Sequence, residues 1–536
     1  MIQIRPALET DVEAIRGIFQ AVYGQDYAYP QFYEPHSLKK MIFSDETALL
    51  VAEDTETHEV LGTASVLLDI GAHADLVAEF GRLAVHPKGR GKGTGQALMT
   101  ARIKEVEDRL HVGLVENRCA HEFSQRISYR HGFRPVGLMP QKLLLTKRET
   151  VTLYVRHFGQ ALELRRNHPR LIPEVHRLAD LALKNCDIPC DAIVEADTPA
   201  YPHEDEFELE EMASELYPAL LRLERGRVRS REIFGPVRLH YGLFQLRANR
   251  GQYLLARRNG TLIGAVGYAI DRLEKTARVF ELVSLDDTPI HFLLEKLVSC
   301  CRDQHEIDYL EADVSAFSPQ MQRTLLEVGF LPVAYIPAMV FHDVERLDIV
   351  RMARLFAPWD DSELQLFEAT RPIADVVGES FRVRNVIPRL TEATNEVPLC
   401  EGLTVEQKRW LAAVATLESF TKDQIFFGAN DPEDAAWILL SGEVDVRNSQ
   451  GDSLGIIGQG ECLGEMMIVR NYTHTLSAVA RTEGEAMRVG REALVDLIRK
   501  RPDIGVVLNR NLCKELARKL HRMNQNTFPF TPNICD

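Results

Sequence analysis

The sequence predicts an α/β (α+β) multidomain chain: two mixed-sheet domains with helices on their faces, then an antiparallel β-barrel with flanking helices. Three observations carry this expectation. Helix and strand patterns alternate through residues 1–145. Landmarks from that region recur at similar spacing in residues 150–345. Short strands punctuated by Gly and Asn/Asp then follow closely after residue 396.

In the first region, Asp11–Tyr23 carries apolar residues at helical spacing. TALLVAE (47–53) and VLGTASVLLD (60–69) are expected strands joined by a turn. Phe80–Val85 is a further strand, closed by His86-Pro87. A helix through Gln96–Leu110, a strand at Leu114–Cys119, a helix at Phe123–Arg130 and a strand from Phe133 complete the unit. The repeat rests on two pairs of segments. VLGTASVLLD matches LIGAVGYAID (262–271), and HGFRPVG (131–137) matches VGFLPVA (328–334). Gly62 and Gly132 are 70 residues apart, Gly264 and Gly329 are 65 apart. Residues 346–395 read as a helical connector. In the last region a short helix (VEQKRWLAAVA) leads into strands QIFFGAN, AWILLSGEVDVRN, SLGIIGQG, LSAVARTE and EAMRVG, with a helix pair after them. The expected boundaries are 1–148, 149–345, 346–395 and 396–525.

At 536 residues the chain exceeds a single core, consistent with several domains. Its net charge of −15 argues against nucleic-acid or anionic-membrane partners, which favour basic surfaces, and suits a basic acceptor. No run of about 18 apolar residues marks a membrane span, and MIQIRPALETDVEAI lacks a signal-peptide layout. The nine cysteines are scattered: Cys300 and Cys301 are adjacent, and Cys186 and Cys190 lack a second pair at zinc-site spacing. A reducing cytoplasmic location and no metal are the resulting expectations.

The motif richest in chemistry is FGRLAVHPKGRGKGTGQALM (80–99). Arg90-Gly91-Lys92-Gly93-Thr94-Gly95 lies between an expected strand and helix. Glycines let the backbone turn tightly so that amide hydrogens gather at a helix N-terminus, where the dipole favours an anion. Arg90 and Lys92 add positive charge, and a pyrophosphate is the natural guest. A dinucleotide-binding turn is disfavoured because no strand–helix–strand unit with an acidic residue about 20 positions on follows. A Walker loop fails because no Gly-Lys-Ser/Thr closes the turn.

This segment resembles the GNAT superfamily of N-acyltransferases in Leu83, Val85, Pro87, Arg90, Gly93 and Gly95, with Gly132-Phe133 as a last landmark. The resemblance covers about residues 1–145. It implies that the backbone of Leu83, Ala84 and Val85 pairs with the pantetheine arm of acetyl-CoA, and that amides of Gly91–Gly95 hold its pyrophosphate. It implies transfer of an acyl group to an amine, either a protein lysine or a small molecule. Glu79 stands where several members place their base. Where members often place a Tyr acid, four residues before the Gly of Gly-Phe, this chain has Ser128, with Tyr129 one position along. Tyr129 is the candidate acid; one helical position rotates it by about 100°. His121, Ser124 and Gln125 open the same helix. The second copy has Asp286-Asp287-Thr288-Pro289 in place of the glycine turn, and two carboxylates there oppose a pyrophosphate. It is expected not to bind CoA.

Residues 426–480 resemble the cyclic nucleotide-binding domain family in Ser441-Gly442-Glu443 and Leu463-Gly464-Glu465. The resemblance implies cAMP or cGMP as effector, with Gly464 and Glu465 at the ribose and phosphate. The Arg that members carry nine or ten residues later is replaced by His474 and Thr475. Arg470 and His474 are the remaining candidates for the phosphate. The sequence thus reads as a bacterial N-acetyltransferase under allosteric control; the alternative is a non-catalytic sensor or scaffold that binds CoA, a cyclic nucleotide or both.

Overall fold

The computed structural model describes residues 1–536 except 26, 28, 69–74, 227–229, 236–249, 357–358, 360–362, 394–396, 433, 469–472 and 528–536. The chain divides into two compact units, Met1–Ser380 and Phe381–Asp536.

In the first unit, seven strands form one half-sheet: β1 (Ile2–Pro6), β2 (Thr47–Asp54), β3 (Val60–Leu67), β4 (Val77–Val85), β5 (Val112–Arg118), β6 (Arg134–Leu144) and β7 (Arg148–His157). Their spatial order is β1-β2-β3-β4-β5-β7-β6. Neighbours are antiparallel except β4 and β5. That parallel pair needs a crossover, supplied by helix α3 (Thr94–Val106). TALLVAED is apolar on both sides because both faces are covered. Leu49 and Val51 pack with helices α1 (Val12–Tyr23) and α2 (Pro35–Ile42). Leu50 and Ala52 meet Leu98 of α3.

After a small ribbon of β8 (Arg170–Leu171) and β9 (Ile193–Val194), the same plan recurs. The strands are β10 (Glu208–Glu211), β12 (Gly251–Arg258), β13 (Thr261–Asp271), β14 (Thr276–Ser284), β15 (Tyr309–Ser315), β16 (Leu331–His342) and β17 (Glu345–Leu355), with a short β11 (Ile233–Phe234) added against β15. Their order is β10-β12-β13-β14-β15-β17-β16, again with one parallel pair, β14–β15. The halves join edge to edge through β6 and β16 into one fifteen-stranded sheet among the described residues. Two of the expected boundaries cut through strands: β7 crosses 148 and β17 crosses 345. Each is the second strand of a hairpin whose pairing register continues past the expected cut.

The join is reciprocal. Arg148 donates to Gln141 O (2.9 Å), to Glu274 O in the other half (2.6 Å) and to Asp308 (3.0 Å). Arg346 does the same in reverse, donating to Ala338 O (2.6 Å) and Asp75 O (2.9 Å) and approaching His111 Nδ1 at 3.3 Å. Gln141 and Ala338 share a left-handed backbone, each at φ 49°. Such exchange is what a two-fold dimer interface does.

The second unit holds two four-stranded antiparallel sheets where the sequence pattern suggests a barrel. One contains β18 (Ala415–Phe420), β25 (Gly484–Gly490), β20 (Ala435–Leu439) and β23 (Cys462–Leu463); the other contains β19 (Ile425–Phe427), β24 (Ser477–Ala480), β21 (Val444–Arg447) and β22 (Ser453–Ile457). In β20, Ala435, Trp437 and Leu439 join the strand core, while Ala436 and Ile438 join Leu494 and Leu497 of the following helix. The described cysteines are all free. No helix among the described residues is long and apolar enough to cross a membrane.

Candidate functional site

Strand β4 parts from its neighbour. It pairs with β5 only at Val77, Ala78 and Glu79. Beyond Glu79 it keeps its partner β3, with a register shift between Thr63 and Ser65 and a left-handed residue, Arg82, at φ 55°. A bulge of this kind bends a strand and frees ladder groups. Two freed carbonyls, Ser65 O and Gly81 O, accept from Arg102 of α3 at 3.1 and 2.9 Å. Arg102 is 1% exposed, and burial lowers its pKa to about 9. Leu83, Ala84 and Val85 therefore line an edge with no β5 partner among the described residues.

That edge leads directly into the glycine turn. Pro87–Gly89 forms one 3-10 turn, and Gly93 caps α3. Gly91 and Gly93 both sit at φ 77°, where a Cβ is strained, and a Cβ at either would meet nothing within 4 Å. Here glycine serves conformation, and the space beside it stays open. Thr94 is buried and ties the turn by donating to Gly89 O at 2.9 Å. Ala97 N–H bonds back to Gly93 O, so the amides before it are the free donors of a helix N-terminus. Arg90, Gly91, Lys92 and Gly93 are exposed. Lys92 also lies 3.6 Å from Asp54. These donors and charges suit an extended anion.

Glu79 lies 2.7 Å from the Arg82 guanidinium. Burial opposes the charge on Arg82, but Glu79 and the Tyr29 and Tyr27 hydroxyls more than offset it, and its pKa stays above the ordinary value. The Tyr29 ring lies under Arg82, 5.2 Å from ring centre to guanidinium carbon. Tyr129 goes elsewhere: its ring packs on Phe367 (5.2 Å) and under Arg134 (4.7 Å). The segment before Arg371 is pinned to that helix by Gln125, which donates to Gln365 O (2.8 Å) and accepts from Phe367 N (3.0 Å). The one-residue shift from Ser128 to Tyr129 explains the difference. Ser128 faces inward and donates to Asn117 of β5 at 3.1 Å. The Asn117 amide is buried, and its Nδ2 has no hydrogen-bond partner among the described residues. Neither Asn117, Arg82 nor Arg102 stands out in the sequence, because no spacing rule marks a residue whose role is to complete a bulge.

At the corresponding turn of the second half, Asp286 occupies the helix N-terminus itself. Its carboxylate accepts from Thr288 N (2.9 Å) and Thr288 Oγ1 (2.6 Å).

In the second unit, Gly464 is left-handed at φ 72°, and a Cβ there would stand 2.6 Å from Ala435 O. It feeds a short 3-10 turn, Glu465–Ile468, with Glu465 9% exposed. His474 is buried, stacked 3.7 Å over Phe427, and its backbone pairs with Asp431 and Asn430. Thr475 is exposed, and Arg470 lies outside the described residues.

Residues 45–135 match the family model described as an acetyltransferase (GNAT) domain, and residues 417–501 match the one described as a cyclic nucleotide-binding domain. Among curated proteins, the chain is 32% identical over 111 residues to a CRP-like cAMP-activated global transcriptional regulator of Mycobacterium tuberculosis, covering 20% of this chain and 48% of that protein. It is 28% identical over 127 residues to a cyclic AMP receptor protein of Thermus thermophilus, covering 23% and 57%. The chain thus spans about half the length of the curated relatives it matches. Among solved structures, the ribosomal-protein-S18-alanine N-acetyltransferase of Escherichia coli is similar at 18% identity and TM-score 0.25, covering 30% of this chain and 95% of that one. The chain therefore carries a GNAT acetyltransferase domain in its first unit and a cyclic nucleotide-binding domain in its second.

Proposed function

We propose that the first unit is an acyl-CoA-dependent N-acyltransferase, using acetyl-CoA, and that a cyclic nucleotide in the second unit regulates it. The observation that carries the reading is the parting of β4 from β5 beyond Glu79, which opens a strand edge leading to two left-handed glycines at a helix N-terminus. Leu83–Val85 would hold the pantetheine amides and Gly91–Gly95 the pyrophosphate, with Arg90 and Lys92 adding charge. When bound, the thioester supplies the electrophilic carbon. Glu79 would orient Arg82, and Asn117 Nδ2 would offer a donor to the leaving group. A sensor domain over about 396–525 belongs to this reading, as does an acyltransferase half that runs through β7 to His157. So does a second half that binds no CoA, because the Asp286 carboxylate stands at its helix N-terminus and accepts from the Thr288 amide and hydroxyl. The effector would be cAMP, which the names of the CRP-like relatives carry, or cGMP, held through Gly464, Glu465 and His474, with Arg470 the further candidate outside the described residues.

Calorimetry on the full chain tests it. Acetyl-CoA should bind, and Gly93→Glu, which adds both charge and a strained φ, should abolish that event while leaving cAMP binding intact. Normal acetyl-CoA binding by this variant would remove the site assignment. A non-catalytic sensor is the competing reading, favoured by the packing of Tyr129 on Phe367. Acetyl-CoA binding with no transfer to any amine would support it.

A further inference from the structure

The reciprocal join carries one hairpin of the second half into the first half's site. Asp75 precedes β4, and Glu274 stands at the same place before β14; the residues after them, Leu76 and Lys275, share a left-handed backbone at φ 51° and 50°. Asp75 is held by the second half: its O accepts from Arg346 and its carboxylate from Phe341 N at 3.1 Å. Glu274 is held by the first half through Arg148, which takes only its backbone carbonyl. Arg148 leaves the Glu274 carboxylate untouched; the carboxylate accepts from the Tyr29 hydroxyl, and its Oε1 is buried without a hydrogen-bond partner among the described residues.

Beside it lies a cavity of about 500 Å³, lined from the first half by Tyr29 and Gln31 and from the second by Ala269, Asp271, Arg278 and Glu311. Tyr29 is the link. It lines this cavity, lies under the Arg82 that pairs with Glu79, and its hydroxyl feels the charge of both Glu274 and Glu79. Of the two cations that line the cavity, Arg278 pairs with Asp313 at 2.5 Å and Arg250 is exposed. Lys142, which pairs with the lining residue Glu311 at 3.3 Å, also pairs with Glu116 at 2.6 Å.

We propose that this cleft between the two halves takes the amine acceptor, a primary alkylammonium group, and that Glu274 receives its proton. The proposal rests on the acyl-CoA reading above. One proton passes from the ammonium nitrogen to Glu274, leaving a neutral amine. Its lone pair forms the N–C bond to the thioester carbon as the C–S bond breaks. Sulfur leaves with that electron pair and takes the second proton shed by nitrogen, giving amide, free thiol and protonated Glu274. Burial raises the Glu274 pKa to about 7, opposed by Lys142 and reinforced by Asp271 and Glu116. Tyr29 and Tyr27 are the other titratable groups that face it. A base with this pKa is matched to neutral operation. The second half, without its own glycine turn, thereby completes the first half's site.

The test is calorimetry on the full chain with butane-1,4-diamine and with Nα-acetyl-lysine N-methylamide, from pH 6 to 8. At least one should bind, more tightly as pH rises through about 7 and Glu274 becomes ionised. Glu274→Gln should weaken binding tenfold or more and flatten the pH dependence; Glu274→Asp should restore part of both. Binding of the diamine alone assigns a free amine, and binding of the lysine derivative alone a protein side chain. Acetyl-CoA affinity should be unchanged in Glu274→Gln. If wild type fails to bind acetyl-CoA, the acyl-CoA reading falls, while the amine titrations still report on the cleft. If neither amine binds, or Glu274→Gln binds as wild type does at every pH, the cleft assignment is overturned.

Discussion

Gly137 and Ala334 are register partners across the join between the two halves of the first unit. They are also corresponding residues of the repeat: Gly329 follows Gly132 by 197 positions, and Ala334 follows Gly137 by the same number. A Cβ on Gly137 would stand 2.3 Å from the Ala334 Cβ and 2.7 Å from Val333 O. The two backbones therefore meet at the point where the repeat folds back on itself, and glycine is the residue that lets them.

Gly137→Ala should cost about 1–3 kcal/mol through overpacking of the seam. Ala334→Gly in the same chain should recover part of it, since the closest clash is between the two methyl groups while that with Val333 O remains. A double-mutant cycle by denaturant unfolding measures the coupling.

Asp313 and Arg351 form a bidentate pair at 2.7 and 3.0 Å, each 2–3% exposed. Burial works against the Asp313 carboxylate, but Arg351 and Arg278 overcome it and hold its pKa well below the ordinary value. Its stabilising effect is present above the unfolded pKa, near 3.8, and is lost as pH falls below that. Asp313→Asn should destabilise the first unit by about 3–5 kcal/mol at pH 7, because it takes the nearest charge partner from a buried Arg. The difference between variant and wild type should shrink in acid, as followed by urea unfolding at pH 3 and 7.

Glu274 has the opposite sign. Its folded pKa of about 7 lies above the ordinary value of 4.5, so its contribution is fully present below about 4.5 and is lost as pH rises through 7. Glu274→Gln should remove this slope. The variant should be at least as stable as wild type at pH 8, with the advantage narrowing at pH 5, by thermal unfolding at both.

Arg102→Met should leave Ser65 O and Gly81 O without their donor, at about 1–3 kcal/mol for each unsatisfied buried group. Because those carbonyls fix the bulge in β4, acetyl-CoA affinity should also fall, by about tenfold for each 1.4 kcal/mol that reaches the site. Calorimetry separates this from a uniform loss of fold.

In the second unit, Gly464→Ala should be strained at φ 72° and collide with Ala435 O, 2.6 Å from its Cβ. Loss of any cAMP binding and a lowered melting temperature are the expected readouts, with acetyl-CoA binding unchanged.

The glycine turn at 90–95 was legible because it is local: a strand, a proline, three glycines and an amphipathic helix lie within 20 consecutive residues. The repeat was legible for the same reason, since paired glycines at φ 82° and 99°, Gly132 and Gly329, mark the same helix ending twice. Tyr129 shows the limit. Its spacing places it beside the expected acid position, but Phe367, more than two hundred residues later, packs on its ring. The boundaries at 148 and 345 missed because hairpin register, not composition, decides where β7 and β17 end.

By itself, the sequence determined the order of helices and strands, the glycine turn before its helix and the likeness of the two halves. These follow from short-range rules of periodicity, turn chemistry and helix capping, which act over a few residues. Only the tertiary structure decided that β4 leaves β5 at Glu79, that Arg82 closes on that carboxylate, and that Glu274 crosses from one half to the other. Those depend on sheet register and on a seam between segments about 200 residues apart, where each strand's position is set by partners its own neighbours in sequence do not reveal.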